Sequence, residues 1–312
     1  MTYTFGNKQA AMQQTAPVLI SSHVGLRGVA ALLVVFYHNY FLPNHLPFED
    51  WNKFFARGYL MVDLFFILSG FIMLHVYKEI RLNQDSYYDF FVKRLARIYP
   101  LHVVSLLGLL CAKILLFILY WIDGKSAEAF WRVPGTWEAF VAQLILIHSF
   151  LPTEPGWNIP SWSISAEMFA YLLFPLVAVL LRRYVRTTSA LMLLFSVSYY
   201  GVAASTTGSL DVTHGSAPAR CLAGFLAGML INHYARQMLP SNQPLILSFV
   251  QCLTIVFICI LLSVEVNDIF VIPFFIVLVA TTMNDYGIIS NIMSRKIFQF
   301  LGSGPIDVIG SM

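Results

Sequence analysis

The chain has 312 residues and a formal net charge of +3; 58% of its residues are hydrophobic and only 11% are charged. Soluble domains carry about 25% charged residues, so this composition excludes an ordinary soluble domain. It predicts an all-α, polytopic protein whose main partner is the lipid bilayer. The small net charge, without a basic tract interleaved with aromatic residues, argues against a nucleic-acid partner.

The first residues of the chain are polar and lack the apolar core of a signal peptide. We predict that residues 1–23 form a cytoplasmic N-terminal segment and that residues 24–312 form one transmembrane domain. The first apolar run, from Val24, is long enough to be a retained spanning helix.

Apolar runs of about 20 residues predict spanning helices, and the chain offers about nine or ten such segments. The predicted spans are 24–42, 58–77, 98–121, 164–181, 190–204, 219–234, 245–264 and 269–283, with a partial one at 298–312.

The apolar run at 140–151 is different, because it is only about a dozen residues long and a stretch rich in proline and glycine follows it at 151–160. Such a segment is too short to span. We expect a re-entrant element at 140–160 whose loop lines a cavity.

The distribution of basic residues supports this topology. With the N-terminus in the cytoplasm and a re-entrant 140–160 element, thirteen of the nineteen Lys and Arg fall inside, five fall outside, and Lys113 lies within a span. The outer five are Lys53, Arg57, Lys125, Arg132 and Arg220. The positive-inside rule therefore favours a multi-pass protein of the inner or plasma membrane with a cytoplasmic N-terminus.

Ionisable side chains at membrane depth are costly and are therefore functional candidates. The sequence places eight there: Arg27, His38, Asp63, Arg94, Arg97, Lys113, Glu167 and Arg220. Arg27 and His38 are eleven residues apart on one helix, so they share a face and differ in depth by roughly 16 Å. They would present a cation at one end and a titratable base at the other. The alternative is a snorkelling arginine and an interfacial histidine.

Asp63 is predicted to reach the depth of His38, because a short loop joins their helices. A carboxylate beside an imidazole would fix its tautomer and raise its basicity. The alternative is that Asp63 caps its helix or pairs with another residue, such as Arg27.

Two further patterns carry charge. Arg94 and Arg97 open the third predicted span at spacing i, i+3, which suits a phosphate group, although membrane anchoring or lipid headgroups would explain them equally well. Glu167 is the only carboxylate of its helix. It either orients a substrate or accompanies a helix cap made by Ser163 or Ser165.

The sequence resembles the acyltransferase 3 family of integral-membrane O-acyltransferases from about Gly25 to Gly302. The stretches that carry the resemblance are 26–30 (LRGVA) followed by His38, 58–71 (GYLMVDLFFILSGF), 94–100 (RLARIYP), 160–167 (PSWSISAE) followed by Pro175, and a weaker match at Arg220, Phe225 and Gly228.

The resemblance implies transfer of an acyl group, usually acetyl from acetyl-CoA, to a hydroxyl of an envelope saccharide or a lipid-linked glycan. It implies that His38, Asp63 and Glu167 serve catalysis and that Arg27, Arg94 and Arg97 bind the cytoplasmic acyl-CoA. It further implies that Trp162, Ser165 and Arg220 bind the acceptor, and no metal is implied.

One departure from the family concerns the C-terminal stretch, where we expect a short final helix, truncated relative to the family pattern. The four cysteines lie in apolar segments without a paired motif, so we expect neither a disulfide nor a metal site. The rival class of function is a transporter or flippase that uses the same intramembrane ionisable residues as a substrate path.

Overall fold

A computed structural model describes residues 20–40, 49–123, 136–152, 156–238 and 243–303. Within these ranges the regular elements are helices and no strand occurs, which confirms the predicted all-α class. The first 19 and last nine residues, including most of the predicted 298–312 span, lie outside the described residues.

Twelve α-helices are described, and four short 3₁₀ turns connect them. The helices are α1 Ser21–Tyr40, α2 Glu49–Ala56, α3 Met61–Val76, α4 Gln84–Ile122, α5 Trp137–Leu144, α6 Trp162–Arg183, α7 Val185–Thr206, α8 Ala217–Met238, α9 Pro244–Ser263, α10 Ile272–Thr282, α11 Ile288–Met293 and α12 Lys296–Gly302. The 3₁₀ turns are Gly58–Leu60, His148–Phe150, Ile159–Ser161 and Asp268–Val271.

Five described helical segments are long and apolar enough to cross a membrane, those built on α3, α4, α6, α7 and α9. This confirms a polytopic membrane protein, although five is fewer than the nine or ten spans predicted. The physical reason lies in the sequences of the other helices. The polar residues of α1 and α8 lower their mean hydropathy, and α10 has only 11 residues.

Helix α4 corrects the prediction that Arg94 and Arg97 open a helix. It begins ten residues before Arg94, at Gln84, where the Asn83 side chain accepts a hydrogen bond from the backbone N–H of Ser86. At 39 residues it is about 58 Å long, well beyond the roughly 30 Å apolar core of a bilayer. The first turns of α4 contain many charged residues, so the prediction from hydropathy did not include them in the helix.

The predicted interruption at 140–160 is present in the described part of this segment. Helix α5 has only eight residues, and the chain then turns at Leu146, whose φ is +59°. The 3₁₀ turns at 148–150 and 159–161 follow before α6 begins. An eight-residue helix rises about 12 Å, so this segment does not span a bilayer as a helix.

Helices α3 and α8 form the centre of the bundle, because glycines let their backbones touch. A Cβ at Gly70 would collide with the carbonyl oxygen of Phe225, and one at Gly228 would collide with that of Ile67. Small residues give membrane helices this close approach. The rest of the bundle packs around the pair, with α1, α9 and α10 on one side and α4 and α6 on the other.

This packing yields a prediction about two glycines in helices. Gly228→Ala should lower the thermal unfolding midpoint in detergent, since its added methyl group meets backbone that cannot move aside, and overpacking costs about 1–3 kcal/mol. Gly201→Ala, on α7, is the matched control because a Cβ there has nothing within 4 Å. Equal midpoints for the two variants would contradict the close α3–α8 contact.

Candidate functional site

Two cavities lie one behind the other along the bundle, and α1, α3, α4 and α6 contribute residues to both. The larger, of about 760 Å³, has His38 in its wall, and we call it the histidine cavity. The smaller, of about 40 Å³, is lined by Arg27, Arg94 and Arg97, and we call it the arginine cavity. Eleven residues of α1 separate Arg27 from His38, which corresponds to roughly 16 Å along the axis.

His38 occupies the last turn of α1, and its ring is solvent-accessible. Its Nδ1 lies 2.8 Å from the carbonyl oxygen of Val34. A carbonyl oxygen only accepts hydrogen bonds, so Nδ1 carries the proton and Nε2 of the neutral ring is the proton acceptor. The helix backbone therefore fixes the tautomer that a general base requires.

Asp63 does not perform the orienting role predicted for it. Its carboxylate is fully buried and pairs with Arg220 instead, through Nη2–Oδ2 at 2.6 Å and Nε–Oδ1 at 3.1 Å. The sequence predicted the depth of Asp63 in the membrane, but depth alone did not identify Arg220 as its partner. The ion pair joins α3 to α8, so Asp63 holds the bundle together at the level of the histidine cavity.

The three residues predicted to bind the acceptor have different environments. Trp162 lines the histidine cavity. Arg220 is fully buried, lies over the Trp162 ring at 5.2 Å and lines neither cavity. Ser165 is also fully buried and donates a 2.7 Å hydrogen bond to the carbonyl oxygen of Leu146. Only Trp162 is therefore positioned to touch a molecule in the histidine cavity.

The arginine cavity brings together residues from distant parts of the sequence. Arg94 donates a 2.7 Å hydrogen bond from Nη2 to the hydroxyl of Tyr77, while its Nε is buried without a hydrogen-bond partner. Such an orphaned donor is rare in a folded protein. An anion in the cavity would satisfy it, because guanidinium groups bind phosphate and carboxylate oxygens in pairs.

Glu167 lies in the wall of the same cavity and does not accompany a serine cap. Its Oε1 accepts hydrogen bonds from the hydroxyls of Ser69, at 2.5 Å, and Tyr171, at 2.6 Å. Neither Ser163 nor Ser165 caps α6, because its N-cap is Ser161, which makes no side-chain cap bond. The carboxylate offsets part of the charge of the three arginines and leaves a net positive cavity.

A pair of buried histidines holds the broken 143–161 segment against α4. The rings of His102 and His148 stack with centroids 6.2 Å apart. Their Nε2 atoms contact the Gln143 carbonyl oxygen at 2.9 Å and the Ser161 hydroxyl at 3.1 Å. Both side chains are buried, so their stacking and hydrogen bonds fix this segment in the bundle.

Sequence reasoning missed several residues that line the histidine cavity, among them Tyr37, Trp157, Asn158, Asp211, Thr213 and His214. The last three belong to the connection between α7 and α8, which contains no motif and no regular element. The clustering of polar residues between two apolar runs was the one available signal.

Comparison with known proteins supplies the family. A family model described as "Acyltransferase domain" matches residues 24–312. Acyltransferase MdmB of Streptomyces mycarofaciens is 35% identical over 175 residues, which cover 53% of this chain and 41% of that protein. Peptidoglycan O-acetyltransferase OatA of Listeria monocytogenes is 26% identical over 172 residues, covering 54% of this chain and 25% of that protein.

The chain thus spans less than half the length of each of these two relatives. No solved structure matches it.

The buried ion pair gives a prediction about stability. Asp63→Ala leaves the Arg220 guanidinium buried without a counter-charge, which costs about 3–5 kcal/mol, so its unfolding midpoint in detergent should fall sharply. The double variant Asp63→Leu/Arg220→Leu should recover much of the loss, because no charge then remains buried. Asp89→Ala, an exposed aspartate of α4, is the control and should behave like the wild type. A wild-type midpoint for Asp63→Ala would refute the pair's structural role.

Proposed function

The chain belongs to the acyltransferase 3 family of integral-membrane acyltransferases, and from that premise we propose that it transfers an acyl group to a hydroxyl of a saccharide. The observation that carries the proposal is the orientation of His38. Its Nδ1 is engaged by the Val34 carbonyl, and its ring borders a cavity large enough for a sugar ring. The arginine cavity lies farther along the same four helices.

His38 is the proposed general base. Its Nε2 accepts the proton of the acceptor hydroxyl while the hydroxyl oxygen bonds to the carbonyl carbon of the acyl thioester. The carbon–sulfur bond then breaks, and the leaving thiolate takes up the proton from the imidazolium. A hydroxyl is a poor nucleophile until a base receives its proton, so the reaction depends on a ring nitrogen held in the accepting tautomer.

The arginine cavity is the proposed site of the acyl donor, acetyl-CoA. Three guanidinium groups and the orphaned Nε of Arg94 suit the donor's phosphates. The cavity of about 40 Å³ has room for only a few waters, so the nucleotide must remain at its mouth and only a narrow arm can pass inward. The bias of basic residues supports a mouth on the cytoplasmic side of the inner or plasma membrane.

The acceptor is proposed to be an envelope saccharide or a lipid-linked glycan that enters the histidine cavity from the opposite side. Tyr37, Tyr59, Trp157 and Trp162 give this cavity aromatic walls, and Asn158 adds an amide. Aromatic faces with a few polar groups suit the apolar faces and hydroxyl rims of sugar rings. The relative OatA is named as a peptidoglycan O-acetyltransferase, which agrees with an acceptor of this chemistry.

The proposed base is tested by His38→Gln, which keeps a polar side chain but cannot take up a proton. Acylation of surface glycans, measured by mass spectrometry in cells with equal membrane levels of each variant, should fall to background. His233→Gln is the control, because His233 lies near the C-terminal end of α8 and lines neither cavity. CoA binding should be unchanged in both variants. Near-normal acylation by His38→Gln would refute the mechanism.

The proposed donor site is tested by Arg94→Ala and Arg97→Ala. Each should weaken CoA binding by about 1–3 kcal/mol, the scale of a lost charge-assisted hydrogen bond, as measured by calorimetry in nanodiscs. Arg186→Ala removes an exposed arginine from the first turn of α7 and should leave the affinity intact. Wild-type affinity in both cavity variants, or no CoA binding at all, would instead favour a transporter.

A further inference from the structure

Asp211 has an exposed side chain on a backbone that is held from both sides. The N–H of Leu210 donates a 2.7 Å hydrogen bond to Oδ2 of Asp268, and the carbonyl oxygen of Val212 accepts one from Nη1 of Arg220 at 3.3 Å. The Val212 N–H also bonds the Leu210 carbonyl at 2.8 Å, which closes a tight turn with Asp211 at its tip.

Both groups that hold this turn are buried side chains that form ion pairs. Arg220 pairs with Asp63, and Asp268 pairs with Arg57 at 3.2 Å and accepts a 2.8 Å hydrogen bond from the hydroxyl of Tyr59. Surface connections between helices are normally the most mobile parts of a fold. Two ion pairs therefore hold the connection that, among the described residues, carries a carboxylate into the histidine cavity.

The carboxylate itself retains most of its hydrogen-bonding capacity. Its one described partner is the hydroxyl of Tyr37, at 3.3 Å, whereas a carboxylate accepts about four hydrogen bonds. The Tyr37 ring also contacts the ring of His38, with centroids 5.1 Å apart. Asp211 and the proposed base thus both contact Tyr37 and lie in the wall of the same cavity.

We propose that Asp211 is the acceptor-binding carboxylate, which accepts hydrogen bonds from hydroxyls of the saccharide and so holds the reacting hydroxyl at Nε2 of His38. This inference rests on the proposed function. Among the described residues that line the histidine cavity, Asp211 is the one acidic side chain. Its charge selects a neutral, hydroxyl-rich ring over a sugar that carries a carboxylate or phosphate next to the reacting hydroxyl, because like charges repel at short range.

A purely structural role for the side chain predicts a different behaviour. The Tyr37–Asp211 bond is long and exposed, and exposed pairs of this kind contribute little stability. Removing the carboxylate should therefore leave the fold unchanged and affect only the acceptor.

The experiment measures acetyl transfer from labelled acetyl-CoA to the host's isolated envelope polysaccharide by the full chain in nanodiscs. Asp211→Ala should raise the apparent KM for the polysaccharide by about tenfold to a hundredfold, the scale of lost hydrogen bonds to a charged group, with a smaller effect on kcat. Asp211→Asn keeps one acceptor oxygen and should show an intermediate rise. Glu265→Gln, which removes an exposed carboxylate outside the cavity, should match the wild type.

Three results would overturn the assignment while leaving the proposed function intact. These are an unchanged KM in Asp211→Ala, a loss confined to kcat, and a fall in the unfolding midpoint that accounts for the loss of activity. Absence of transfer by the wild type would refute the proposed function itself, and the role of Asp211 with it.

Discussion

Arg220 and Asp63 face each other at the centre of the bundle, and both side chains are completely buried. Removing two charges from water costs several kcal/mol for each ion unless their geometry and remaining hydrogen bonds compensate. Here the compensation is extensive. The guanidinium makes two bonds to the carboxylate, donates to the Tyr59 and Val212 carbonyls, and lies over the Trp162 ring. The pair therefore ties α3, α6, α8 and the connection before α8 to one point.

This arrangement requires α3 and α8 to approach closely, and the glycines of the two helices permit it. A side chain at Gly70 or Gly228 would separate the backbones and would lengthen a salt bridge whose energy depends on short distances. The small residues and the buried charges therefore act together to hold α3 and α8 close to each other.

Apolar side chains that pack near the Arg220–Asp63 ion pair separate the two cavities. Trp162 packs edge-on against Phe66 with centroids 5.9 Å apart, and Leu106 of α4 is fully buried at a depth between Arg97 and Leu109. These apolar groups lie between the arginines and His38. In the proposed reaction, a site that excludes water would strengthen electrostatic interactions and protect the acyl donor from hydrolysis.

The sequence predicted the structural features that depend on a single helix. Apolar runs marked the helices, and the resemblance to the family grouped Arg27, Arg94 and Arg97, which the structure finds in one cavity. The sequence did not predict which residues of different helices contact each other. Asp63 was placed at the right depth, but only packing against α8 shows that Arg220 is its partner. The hydroxyl of Ser165 was expected near a helix start, whereas it bonds a carbonyl of an irregular segment that no periodicity describes.

Asp211 shows the same limit most clearly, since nothing in its local sequence distinguishes it from an ordinary loop residue. Its position depends on ion pairs whose other members, Arg57, Asp63 and Asp268, lie more than 50 residues away in the chain.

The orientation of His38 by a backbone carbonyl, rather than by a carboxylate, has a chemical consequence. A carbonyl dipole fixes the tautomer but stabilises the imidazolium less than a full negative charge would. In the proposed mechanism, Nε2, and not Nδ1, is therefore the nitrogen available to the acceptor hydroxyl. Asp211 accepts a hydrogen bond from Tyr37, whose ring contacts the ring of His38. If the Asp211 carboxylate holds the acceptor, as proposed, then an occupied cavity brings the reacting hydroxyl to a base whose tautomer the Val34 carbonyl has already fixed.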